Sequence, residues 1–175
     1  MAEEIIIAGN TKAEKWEALI PQVVSLIEND DDPISRMANV AAAIHSTFNF
    51  LWTGFYRVRR LPSDPADGIL VLGPFQGPSA CTRIRHGRGV CGTAWAEART
   101  VIVDNVDDFP GHIACSSLSR SEIVVPVFDA DGAVAAVIDI DSAELATFDS
   151  VDAEALERIA AAMFDSLIAS QSHTP

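Results

Sequence analysis

Residues 121–142 read SEIVVPVFDADGAVAAVIDIDS. Two apolar runs, Glu122–Phe128 and Ala133–Ile140, flank the turn Asp129-Ala130-Asp131-Gly132. An Asp-Gly pair between strand-like runs predicts a β-hairpin. Three acids break the apolar pattern: Glu122 opens the first run, and Asp139 and Asp141 stand at the end of the second. Side chains alternate across a strand, so Asp139 and Asp141 share one face, and Glu122 opens the neighbouring strand near them. Like charges placed together repel, which raises at least one carboxyl pKa.

Working outward, the segment before this hairpin holds Cys81, Cys91 and Cys115, the only cysteines in the chain. Gly89–Ala98, GVCGTAWAEA, predicts a short helix. Cys91 falls in its first turn, where free backbone N–H groups and the helix dipole favour a thiolate. Thr100–Asp104 predicts a short strand. Asn105–Ser121 is a long irregular stretch, and loops of that length in a domain are usually functional or disordered. Phe109, Ile113 and Cys115 argue against simple disorder there. Leu51–Val58 and Ile69–Phe75 predict a second hairpin around a polar turn, and Arg83–Arg85 a short extended piece.

Helical periodicity appears toward both ends. Trp16, Leu19, Ile20, Val23, Val24 and Ile27 mark a helix over Lys12–Glu28, with Pro21 inside it as an expected kink or the start of a second segment. Asp32-Pro33 reads as an N-cap followed by proline at the first helical position. That helix runs to about Ser46, with Ile34, Met37, Val40, Ala41 and Ile44 on one face. Asp149 caps a last helix to about Ala169, with Leu156, Ile159, Met163 and Leu167 buried. Hairpins bracketed by helices indicate an α+β class. The terminal helices would cover one face of the sheet, and the crossover segment the other, forming a pocket. The chain of 175 residues fits one domain over 1–175, with a core from about 12 to 169.

Composition removes several function classes. Twenty-five acidic against 12 basic residues give a net charge of -13. With no Lys/Arg stripe to compensate, nucleic acid and anionic membrane are poor partners. No apolar run reaches the roughly 18 residues of a membrane span. The acidic start, MAEEIII, is unlike the basic opening of a secretory signal, so a cytoplasmic location is expected. An odd cysteine count suits a reducing compartment and free thiols, either redox-active or simply buried.

WTGFY (52–56), LVLGPFQG (70–77), Ala80-Cys81, GRGVCGTA (87–94), FPGHIAC (109–115), SEIVVP (121–126) and DIDS (139–142) occur in this order. Together they resemble the free methionine-R-sulfoxide reductases, a family built on the GAF fold. Two departures are visible: Ser116 follows Cys115 where Asp is frequent, and the Ala133–Ala136 run is small-residued. The resemblance implies a six-stranded antiparallel sheet and reduction of free methionine-(R)-sulfoxide to methionine, with no cofactor. It implies recycling through an intramolecular disulfide by thioredoxin or a similar dithiol, and it allows a homodimer, for which the sequence shows no interface signature.

On the same resemblance Cys115 is the attacking thiol, Cys81 the main resolving thiol, and Cys91 a second resolver or an alternative nucleophile. Glu122, Asp139 and Asp141 would cage the free substrate's ammonium group. His112 would offset their negative charge at the thiol if protonated, or hydrogen-bond the thiol. Trp52 and Tyr56 share a strand face, and Trp52 would wall the pocket against the substrate methyl. Two other chemistries fit poorly. Gly87 and Gly89 lack the lysine of a phosphate loop. The cysteines and His112 lack the C-x2–4-C spacing of a zinc site, so no metal is expected. The competing reading is a non-catalytic GAF module that senses a small ligand or redox state.

Overall fold

The computed structural model describes residues 5–28, 30–66, 68–113 and 116–171, with residues 164–171 described by backbone alone. Helix α1 spans Lys12–Glu28 and α2 Pro33–Phe48. Strands β1 (Trp52–Arg59) and β2 (Ile69–Gln76) form the first hairpin, followed by β3 (Arg83–Arg85). Then come α3 (Gly89–Glu97), β4 (Val101–Val103) and a 3-10 turn at Val106–Asp108. The second hairpin pairs β5 (Ser121–Phe128) with β6 (Val134–Ser142), and α4 covers Ser150–Gln171.

The predicted punctuation explains these boundaries. Asp32 Oδ1 accepts from the backbone N–H groups of Ile34 (2.7 Å) and Ser35 (3.2 Å), with Pro33 at the first helical position. Asn49 ends α2 in the left-handed region at φ 55°. Pro21 neither breaks α1 nor divides it. The ring sits on the exposed face, while Trp16, Leu19, Ile20, Val23 and Ile27 on both sides of it pack into one core. Packing of that face outweighs the lost backbone bond. Ile34, on the predicted face of α2, is 40% exposed.

All six strands are antiparallel neighbours in the order β3-β2-β1-β6-β5-β4. Helices α1, α2 and α4 cover one face, as the sequence predicts. Phe55, Ile123, Val125, Ile138 and Ile140 point into that layer against Leu19, Ile44, Leu156 and Ile159. On the opposite face Tyr56, Leu70, Val124 and Val137 pack against Val90 and Trp95 of α3. Strand alternation therefore sends Ile138 and Ile140 to the helices and Asp139 and Asp141 to the α3 side. Asp152, fully buried, joins the terminal helices by accepting from Trp16 Nε1 (2.9 Å) and Lys12 Nζ (2.6 Å).

Candidate functional site

The sheet register assembles three of the predicted residues into adjoining positions. Trp52 pairs with Asp141, and Asp141 with Glu122, which makes one row across β1, β6 and β5. The next row runs Gly54, Asp139 and Val124. The α3 side of these rows and the crossover segment enclose a hollow of ≈ 520 Å³ counting its open mouth, with only ≈ 30 Å³ inside. Its walls include Trp52, Tyr56, Cys91, His112, Glu122, Asp139 and Asp141. Trp52 is stacked between Tyr56 and Phe75, with ring centroids 5.9 and 5.3 Å away, and its Nε1 donates to the Pro78 carbonyl (3.1 Å). Tyr56 donates its hydroxyl to the Cys81 carbonyl (2.9 Å). Burial, then the charges around Asp139, pushes its phenol upward, so it remains a donor.

The acids are not at a solvent edge. Glu122 and Asp139 are buried, and both are held well above the usual carboxylate range. Burial is the first cause for both; the second is repulsion, from Asp139 on Glu122 and from Asp141 on Asp139, whereas repulsion alone predicts the direction from sequence. Asp141 is pushed up to about 6 by burial, against the hydroxyl of Ser119, which donates to its Oδ1. Asp139 Oδ1 is buried without a hydrogen-bond partner. An unpaired buried carboxylate oxygen carries a desolvation penalty that a donor entering the hollow would relieve.

Burial alters the electrostatics expected at Cys91 and His112. Cys91 does occupy the first turn of α3, but its thiol is pushed well above its ordinary value. Burial comes first, then the charges of Asp139 and Glu122, and together they outweigh the helix N-terminus. Its Sγ donates to Glu122 Oε1 at 3.9 Å, as a thiol rather than a thiolate. His112 reaches Glu122 Oε2 at 4.0 Å, yet burial lowers its pKa, with only Asp107 opposing. That direction weighs against the cationic role, and the imidazole stands as one wall of the hollow.

Cys91 is a free thiol, while Cys81 is disulfide-bonded and half-buried against the α3-side core. Cys115 lies outside the described residues. Ile113 and Ser116, on either side of 114–115, both line the hollow. Sequence reasoning missed Ser119 and Arg88. Ser119 reaches Asp141 because Arg120 N–H bonds the Ser142 carbonyl (2.8 Å), a loop closure with no sequence signature. Arg88 lines the hollow just ahead of α3.

The chain matches the GAF domain family over residues 34–164. It is 50% identical over 159 residues to GAF domain-containing protein A of Dictyostelium discoideum, covering 91% of this chain and 96% of that protein. It is 38% identical over 165 residues to the free methionine-R-sulfoxide reductase of Saccharomyces cerevisiae, covering 91% and 89%. A crystal structure of free methionine-R-sulfoxide reductase from Neisseria meningitidis in complex with its substrate superimposes with a TM-score of 0.90. That pair is 45% identical, over 99% of this chain and all of that one.

Proposed function

The chain belongs to the free methionine-R-sulfoxide reductases, a family built on the GAF domain, and we propose that its own thiols carry out the reduction in the hollow beside β1, β5 and β6. The observation that carries this reading is the convergence of Glu122, Asp139 and Asp141 on one hollow walled by Trp52 and Tyr56. A free amino acid brings an ammonium group that a residue within a peptide lacks. Placed at the unpaired Asp139 Oδ1 and its neighbours, that cation satisfies a buried acceptor and favours the ionised acids. Arg88 at the mouth suits the substrate carboxylate, and the Trp52 ring suits the methyl group.

Reduction then takes three balanced steps. The Cys115 thiol attacks the sulfoxide sulfur while a protonated acid of the cluster donates to its oxygen. The oxygen passes to Cys115 as sulfenic acid, methionine leaves as the thioether, and the cysteine sulfur is oxidised by two electrons. Cys81 condenses with the sulfenic acid to give a disulfide and water. An external dithiol of the thioredoxin type exchanges with that disulfide, returns both thiols, and becomes oxidised itself. The Tyr56 hydroxyl, bonded to the Cys81 carbonyl, supports the resolving loop. Cys91 remains a free thiol where Cys81 is bonded, which favours Cys81 over Cys91 as the main resolver.

The test is NADPH consumption in a thioredoxin-coupled mixture. Free methionine-(R)-sulfoxide should turn over, and the N-acetylated amino acid should not. Equal turnover of both would remove the ammonium cage. Cys115→Ser should abolish reduction, and persistence of full activity would give the attacking role to another thiol.

A further inference from the structure

Among the described residues, one buried corner of the hollow gathers soft and hard metal-binding atoms together. One ligand atom from each of Cys91, Glu122 and Asp139 lies within 4.8 Å of the other two. Cys91 Sγ and Glu122 Oε1 are 3.9 Å apart. A tetrahedral zinc ion, with bonds of about 2.3 Å to sulfur and about 2.1 Å to oxygen, sets sulfur and oxygen ligands about 3.6 Å apart. The trio needs only a small side-chain adjustment to reach that spacing. Asp139 adds an independent indication, since its residue is 6% exposed and its Oδ1 has no hydrogen-bond partner.

We propose that Cys91, Glu122 and Asp139 bind one thiophilic divalent cation of the zinc class per chain. The sulfur and the small number of ligands select Zn2+ over Mg2+, which demands six oxygens and retains its waters. Zinc displaces the Cys91 proton to solvent as the metal–sulfur bond forms, and no oxidation state changes. Water from the open side of the hollow completes the fourth position. Cys91 is free where Cys81 is disulfide-bonded, so the cation does not depend on reduction of that bond. Its consequence for turnover rests on the reading above: the ion takes the corner assigned to the substrate ammonium and holds the enzyme off.

Equilibrium dialysis against Zn2+ tests the site without turnover. One ion per metal-free chain is expected, with affinity at least tenfold weaker in Cys91→Ser and in Asp139→Asn. Replacing Zn2+ by Co2+ should give a near-ultraviolet sulfur-to-metal charge-transfer band that Cys91→Ser loses and Cys81→Ser keeps. Should Cys91→Ser fail to fold, Asp139→Asn with the Co2+ spectrum decides. Substoichiometric zinc, or a band unchanged in Cys91→Ser, overturns the site. Free methionine should displace the ion and N-acetylmethionine should not. Zinc held one per chain but indifferent to methionine keeps the cation site and removes the ammonium from this corner. Methionine bound by a chain that takes up no zinc overturns the cation site alone.

Discussion

A single missing atom shapes the pocket wall. A Cβ on Gly54 would lie 2.4 Å from the Phe75 Cβ and 2.5 Å from the Trp52 ring, so the indole lies across bare backbone. Gly54→Ala is expected to destabilise the chain by about 1–3 kcal/mol through overpacking. It should also raise KM for the sulfoxide more than it lowers kcat, because Trp52 must move. A wild-type KM with an altered near-ultraviolet dichroism spectrum would remove Trp52 from the binding wall. At Asp139 binding and stability pull in opposite directions. Asp139→Asn should weaken substrate binding by about 2–5 kcal/mol, roughly 30-fold or more. The same change should stabilise the empty protein at pH 8, and calorimetry with and without ligand reads both effects. Residue identities were legible in the sequence here, but electrostatic states were not. The helix position of Cys91 argues for a thiolate, and only the packing that buries it beside two acids reverses the sign. The lowered pKa of His112 has the same origin: its burial has no counterpart in the residue string.

At the level of the element, the β5–β6 hairpin carries a pH dependence with a definite sign. Asp141 rises from 3.8 to about 6, and Glu122 and Asp139 are raised as well. Below about pH 4 these acids are protonated in both folded and unfolded chains and cost nothing. Between about pH 4 and 6 the unfolded chain releases the Asp141 proton while the folded chain keeps it. Stability therefore falls as pH rises through that window, and Glu122 and Asp139 extend the fall above it. Asp141→Asn should remove up to about 3 kcal/mol of this loss at pH 8. Guanidinium midpoints at pH 4 and pH 8 read it, and identical pH slopes for the two proteins would contradict it. The hairpin itself was legible because its Asp-Gly turn and alternation agree. The contribution of the preceding loop was not: Ser119 meets Asp141 only through a tertiary closure between Arg120 and Ser142.

At the scale of the molecule, the first and last helices meet at Asp152. Its carboxylate receives Trp16, Lys12 and the Asp149 backbone N–H (3.0 Å), all from the same buried position. Asp152→Ala should lower unfolding free energy by about 3–5 kcal/mol, since it strands the buried indole N–H and frees Lys12. A loss below about 1 kcal/mol would show that the helical layer holds without this tie. The two hairpins and the layer order were legible from periods and caps and the six-stranded sheet only through the family resemblance, while the strand order and this link across 136 residues were not. The two-faced hairpin has one more effect. A slip of one residue in β6 would drive Asp139 and Asp141 into the helical layer and lift Ile138 and Ile140 out of it. A miswired fold is thus too costly to persist, and catalysis and foldedness are proofread by the same pleat. Titrating active sites in any preparation of this protein would amount to counting its correctly folded molecules.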